Sequence, residues 1–280
     1  MGKLAIILAA GAIMTIGIVS FMPDSGSEVL ERLNEAGIYP KSLKIDYKDG
    51  LQIGAMQIGD STKPALLLIH GSPGDWSAWE NVIANDSVRE AFQIISIDRA
   101  GYGQTTVPAY TNLKDQANLV WYAMEQLNRT RDLIAVGHSY GGAVVEQLLI
   151  DHPKSFDLAV LVAPTLGPEQ MAPRWYNKVA SWSLINKIIS NDLRSSNIEM
   201  MGLPESLRTN ENMLKQIITP IIYIQGMEDV LVAHETVDYF KEHKPDGVKY
   251  VIIEDMNHFT PWTDPHLITD AILGRSGAYQ

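Results

Sequence analysis

A chain of 280 residues with 46% hydrophobic and 20% charged side chains has material for one α/β domain of ordinary size and an insertion. Its net charge of −11, with no cluster of Lys or Arg to interrupt the deficit, argues against nucleic acid as a partner. The absence of cysteine removes thiol catalysis, thiolate metal sites and disulfides together.

Residues 4–22, LAIILAAGAIMTIGIVSFM, carry no charge. As a helix they would extend about 28 Å, close to a hydrocarbon thickness of roughly 30 Å. A cleaved signal peptide needs a small-x-small site just after the apolar run. Here the run ends in Phe21-Met22-Pro23-Asp24. The expectation is a retained membrane anchor within residues 1–24, with secretion after signal cleavage as the alternative. Lys3 precedes the run and Asp24 follows it, so the remainder of the chain is expected outside the cytoplasm.

Residues 25–37 read as a polar, helical linker. The stretches 43–46 and 51–59 form an opening antiparallel pair around Asp49-Gly50, a hairpin-type turn. Four short, largely apolar runs follow: 65–70 (ALLLIH), 92–98 (FQIISID), 133–137 (LIAVG) and 158–163 (LAVLVA). Strands apolar on both faces belong to a parallel sheet covered by helices. Between them Leu113, Ala117, Val120, Met124 and Leu127 recur on one helical stripe. Further strands are expected at 220–226 and 248–254, with helices around 234–243 and 266–273. The fold class is therefore α/β, a doubly wound, mostly parallel sheet of about eight strands. Residues 166–216 break the alternation. Trp175, Val179, Trp182 and Ile189 fall at helical spacing there, and Pro168, Pro173 and Pro204 punctuate it. This is a small helical insertion, a candidate lid, which divides the core into 38–165 and 217–280.

The chemistry concentrates at Gly137-His138-Ser139-Tyr140-Gly141-Gly142, directly between a strand and a helix. This G-x-S-x-G sequence in a strand–turn–helix context is a nucleophile elbow. Its sharp turn demands very small residues two before and two after the serine, and Gly137 and Gly141 supply them. The hydroxyl then projects at a helix N-terminus, where backbone N–H groups face developing negative charge.

With His70-Gly71-Ser72-Pro73-Gly74 after the third strand and Asp98-Arg99-Ala100-Gly101-Tyr102-Gly103 after the fourth, the chain from about residue 38 to 273 resembles the α/β-hydrolase fold superfamily, in its lid-bearing esterase and lipase-like branch. The first loop also resembles that of proline iminopeptidases, although Ser72 replaces their second glycine. The resemblance implies that the backbone N–H groups of Ser72 and Tyr140 form the oxyanion hole. It makes His70 an architectural hydrogen-bonder and leaves Asp98 and Arg99 to fix their loop. The order Ser, acid, His expected for this fold selects a base and an acid. His258, in Asp255-Met256-Asn257-His258-Phe259 past the last strand, stands where the base loop belongs. His138 is set aside as pointing the wrong way. Gly226-Met227-Glu228-Asp229-Val230-Leu231-Val232 resembles the G-x-x-D-x-x-V pattern and selects Asp229, with Glu228 as the alternative. Asp255 is expected to fix its own loop.

The implied activity is hydrolysis of an ester-type bond in a small, apolar acyl substrate, with no cofactor and no metal. An amide, a lactone or an activated carbon–carbon bond are alternative substrates of the same triad, and a non-catalytic binding protein is the rival of another class. Dehalogenase and epoxide hydrolase chemistry on this fold needs a carboxylate nucleophile, and position 139 is serine. In the insertion, Trp175 and Trp182, with Met171, Met200, Met201 and Met213, either line a substrate pocket or pack the lid onto the core.

Overall fold

A computed structural model describes residues 25–127, 132–244 and 246–274. The apolar stretch 4–22 lies outside them. Among the described residues no helix is long and apolar enough to cross a membrane.

The linker forms helix α1 (Gly26–Glu35), started by a capping box in which Ser25 and Glu28 satisfy each other's backbone N–H, with Val29 and Leu33 on its buried side. Strands β1 (Lys41–Asp46) and β2 (Gln52–Ile58) pair antiparallel. The chain reverses between them through positive φ at Asp49 (56°) and Gly50 (75°). Six more strands follow: β3 (Ala65–Ile69), β4 (Gln93–Ile97), β5 (Leu133–His138), β6 (Leu158–Val162), β7 (Ile221–Gly226) and β8 (Val248–Ile253). They complete one eight-stranded sheet in the order β1-β2-β4-β3-β5-β6-β7-β8, parallel from β4 to β8.

β3 shows why helices must cover both faces. All five of its residues are fully buried, and successive side chains point to opposite sides. Leu67 and Ile69 join one core with α2 (Leu113–Leu127) and α3 (Tyr140–Asp151), while Leu66 and Leu68 join the other. Short helices at Glu80–Ile83 and Asp86–Ala91, which the sequence pattern did not disclose, enter that second core beside the fully buried Trp79. The carboxyl ends of the parallel strands share one edge, where ligands bind in open α/β sheets.

Between β6 and β7 lie α4 (Trp175–Ala180), α5 (Ser183–Asn186) and the twenty-residue α6 (Asn191–Asn210). After β7 come α7 (Glu235–His243) and α8 (Pro265–Ile272). Pro204 does not break the insertion as its sequence implies: α6 runs through it, with Leu203, Pro204 and Leu207 buried. A proline costs one helix hydrogen bond and a local clash, and burial of the surrounding turns offsets that here.

The seat of α6 is tight. An ideal Cβ on Gly202 would lie 1.8 Å from the Thr111 carbonyl oxygen, so only glycine permits this approach. Gly202→Ala is expected to lift α6 from the core. Hydrogen exchange should then speed up across Asn191–Asn210 while amides of β3 and β5 stay protected. Unchanged exchange over α6 would show that the contact does not hold the lid.

Candidate active site

Ser139 sits between β5 and α3 with φ 53° and ψ −122°. A non-glycine residue there costs on the order of 1–3 kcal/mol and persists only when its surroundings over-determine it. They do. A Cβ on Gly137 would lie 2.3 Å from the Gly141 carbonyl oxygen, and one on Gly141 would lie 2.2 Å from that of Ile69. The Ser139 N–H donates to Val162 O at 2.9 Å, and its carbonyl accepts from the N–H groups of Gly142 and Thr165. The serine is thus pinned at the N-terminus of α3, facing the carboxyl edge of the sheet.

Asp229 and His258 arrive from the loops after β7 and β8. Asp229 Oδ2 and His258 Nδ1 are 2.7 Å apart. The other carboxylate oxygen accepts from the N–H groups of Leu231 (2.9 Å) and Val232 (2.8 Å), and Gln225 Nε2 donates to Oδ2 at 3.2 Å. Burial alone would raise this carboxyl, but the bond and charge of His258 and the two amides outweigh it and hold it below its ordinary value. Glu228 is exposed and Asp229 buried, so Asp229 is the acid that meets the histidine. The contact with Asp229 orients the His258 ring through Nδ1 and leaves Nε2 as the nitrogen that Asp229 does not engage. Among the described residues no hydrogen bond joins Ser139 Oγ directly to His258; such bonds often tighten only when substrate is bound.

His138 holds the two together. Its Nε2 lies 2.9 Å from the His258 carbonyl oxygen, and the two rings are 4.8 Å apart. Burial and the neighbouring His258 push its pKa down to about 3, so it is neutral and donates through Nε2–H. His138 therefore does not point away from the site, as its position in sequence implied; it holds the loop that carries His258. Within that loop Asn257 Oδ1 accepts the Phe259 N–H at 2.7 Å, whereas Asp255, expected to do this, is exposed.

The 70–74 loop crosses close over the serine: a Cβ on Gly71 would lie 3.1 Å from Ser139 Cβ. Tyr140 opens α3 beside it. The loop carbonyls are gripped by the fully buried Arg99, whose Nε donates to His70 O at 3.0 Å and Nη2 to Gly71 O at 2.8 Å. His70 is architectural here, donating from Nδ1 to Gly71 O (2.8 Å) and accepting the Arg99 N–H at Nε2 (3.1 Å). Burial and Arg99 hold its pKa well below the usual value, so it is neutral.

Arg99 in turn pairs with Glu199 of α6, also fully buried. Burial opposes the guanidinium charge, but Glu199 keeps its pKa raised. Glu199 also accepts from Tyr102 Oη (2.8 Å) and Gln116 Nε2 (2.6 Å), and Tyr102 Oη is 2.9 Å from Ser72 Oγ. Sequence reasoning missed Glu199. The signal available was a lone carboxylate beside Met200 and Met201, and an arginine at a strand end that needed a counter-charge. Trp175 and Trp182 are 52% and 65% exposed and stand outside this cluster, while Met171 is buried. Among the described residues no group of three or more His, Asp or Glu converges as metal ligands.

A family model described as alpha/beta hydrolase fold matches residues 64–184, from β3 through the elbow into the insertion. The chain has the α/β-hydrolase fold. A bacterial membrane phospholipase A of known structure superposes with a TM-score of 0.66 at 19% identity, covering 99% of this chain and 100% of that one. Among curated proteins, a fluoroacetate dehalogenase from Burkholderia is 32% identical over 42% of this chain and 43% of its own. The dihydrolipoyllysine-residue acetyltransferase component of the acetoin cleaving system of Cupriavidus necator is 31% identical over 41% of this chain and 30% of its own. The chain spans less than half the length of the first curated relatives that it matches. Their reactions differ, so within this fold the chemistry must be argued from the site.

Removing one partner of a buried ion pair leaves an uncompensated charge and costs about 3–5 kcal/mol, against under ~1 kcal/mol for an exposed pair. Glu199→Ala should therefore lower unfolding free energy by about 3–5 kcal/mol in urea denaturation. A loss below about 1 kcal/mol would mean that Arg99 finds other compensation.

Proposed function

We propose that this chain is a serine hydrolase that cleaves a carboxylic ester through an acyl-enzyme. The observation that carries the reading is the strained Ser139 at a helix N-terminus, in one site with a histidine whose Nδ1 is fixed by a buried carboxylate. Ser139 Oγ attacks the acyl carbon as His258 Nε2 takes its proton. The oxyanion is received by the backbone N–H groups of Ser72 and Tyr140, each such donor being worth about 10²–10³-fold in rate. His258 then protonates the leaving alkoxide. Water, deprotonated by His258, attacks the acyl group and releases Ser139. Asp229 keeps His258 in the productive tautomer and stabilises its charged form.

A serine at the elbow sets this chain apart from carboxylate-nucleophile chemistry on the same fold. The substrate proposed is a small molecule with an apolar acyl group. An amide, a lactone or an activated carbon–carbon bond would pass through the same steps, and turnover across those classes separates them. For location, residues 4–22 are proposed as a retained membrane anchor with the catalytic domain outside the cytoplasm. N-terminal sequencing of the product distinguishes this from a cleaved signal.

A fluorophosphonate probe should label wild type at Ser139, and Ser139→Ala should not label. Equal labelling of both would remove Ser139 as nucleophile. On p-nitrophenyl esters of rising acyl length, Asp229→Asn should reduce kcat by about 10⁴-fold with folding retained. Full activity in Asp229→Asn together with inactivity in Glu228→Gln would move the acid to Glu228.

A further inference from the structure

One segment of the insertion carries a charge opposite to that of the molecule. In a chain of net charge −11, residues 170–191 contain Arg174, Lys178 and Lys187 and no Asp or Glu. All three cations are exposed, and no ion pair among the described residues holds them. Beside them stand three of the chain's large exposed apolar side chains: Trp175 at 52%, Trp182 at 65% and Ile188 at 78%.

Helix geometry places part of this set on one face. Trp175 and Lys178, three residues apart, share one side of α4, and Trp182 follows the helix end in extended backbone. The other side is occupied. Asn177 Nδ2 donates to Asn197 Oδ1 of α6 at 3.1 Å, and Asn197 Nδ2 donates to Ser181 Oγ at 2.9 Å. The aromatic and basic side of α4 is thus turned away from the protein by specific hydrogen bonds to α6.

The chain also enters the fold near this region. Ser195, in the second turn of α6, donates from Oγ to Gly101 O at 3.0 Å. The start of α1 lies against the same turn: Gly26 and Ser27 share a cavity of about 350 Å³ with Asp98, Gly103 and Gln104. The first described residues therefore lie against the same turn that α6 touches.

We infer that the outer face of α4 and α5 docks on the surface of an anionic lipid bilayer, with Trp175, Trp182 and Ile188 entering the interface and Arg174, Lys178 and Lys187 meeting lipid phosphates. Aromatic and aliphatic side chains flanked by Lys and Arg are what an interfacial helix needs. The net charge of −11 works against approach to an anionic surface, so the cations of 170–191 favour this orientation. The inference rests on the anchor reading only for the proximity of chain and membrane.

The absence of cysteine makes the test clean. Full-length Ile188→Cys is labelled with an environment-sensitive fluorophore and compared with Ile218→Cys, which lies 67% exposed just before β7, at the opposite edge of the sheet. Each is added to phosphatidylcholine vesicles with and without phosphatidylglycerol. The emission at 188 should shift to the blue when phosphatidylglycerol is present, and the emission at 218 should not. The shift should vanish when Arg174→Glu/Lys178→Glu/Lys187→Glu is added to labelled Ile188→Cys, and in labelled Ile188→Cys without those changes at high salt, which covers misfolding of the multiple variant. A response equal at 188 and 218, or one indifferent to phosphatidylglycerol and salt, would overturn the proposal. So would a shift at 188 that grows with protein concentration without vesicles, which would assign the face to a second copy of the chain. Flotation with pure phosphatidylcholine vesicles reports the anchor separately.

Discussion

The site depends on one steric constraint: no side-chain atom can exist at positions 137 and 141. Atoms there would stand 2.2–2.3 Å from backbone oxygens of Gly141 and Ile69. Because the space is empty, β5 can turn into α3 within a few residues, and the turn forces Ser139 into a conformation that the sheet and helix must hold by hydrogen bonds. The energy of that strained residue is small beside the burial of β3, β5 and α3 around it. The hydrophobic core therefore sets where the serine stands, and the glycines let it stand there.

A second constraint works from the lid side. Arg99 grips the two carbonyls before Ser72 and is neutralised by a carboxylate that only α6 provides. The loop proposed to hold the oxyanion and the helix proposed to cover the site are thus parts of one buried polar cluster. A buried cluster of this kind rigidifies through the hydrogen bonds it makes, and breaking one of them is costly. The backbone just before Ser72 is held by a charge pair whose acidic partner sits on α6, so movement of α6 would be felt at Ser72.

Much of this was legible in the chain. The strands were, because four apolar runs of strand length alternate with a helical stripe, and so was the elbow, because its steric demand falls on residues two apart from the serine. Asp229 was distinguishable from Glu228 by its place in a local pattern, and the structure buries the one and exposes the other. What was illegible depends on distance or on direction. Glu199 is separated from Arg99 by 100 residues, and its place beside Met200 and Met201 does not say which cation it meets. His138 meets His258 only after two loops converge. Pro204 reads as a break because sequence does not show how well its turn is buried. Trp175 and Trp182 recur at helical spacing, but a stripe does not say whether it faces the core or water.

The central claim is that the carboxyl edge of the sheet presents Ser139 Oγ, two backbone donors and His258 to one tetrahedral centre. A crystal structure of the chain with an alkyl boronic acid tests this directly. The account predicts boron bonded to Ser139 Oγ, one boronate oxygen within hydrogen-bond distance of the Ser72 and Tyr140 backbone nitrogens, and another facing His258 Nε2. Boron attached to a different side chain, or an adduct on Ser139 whose oxygens point away from both amides, would contradict it.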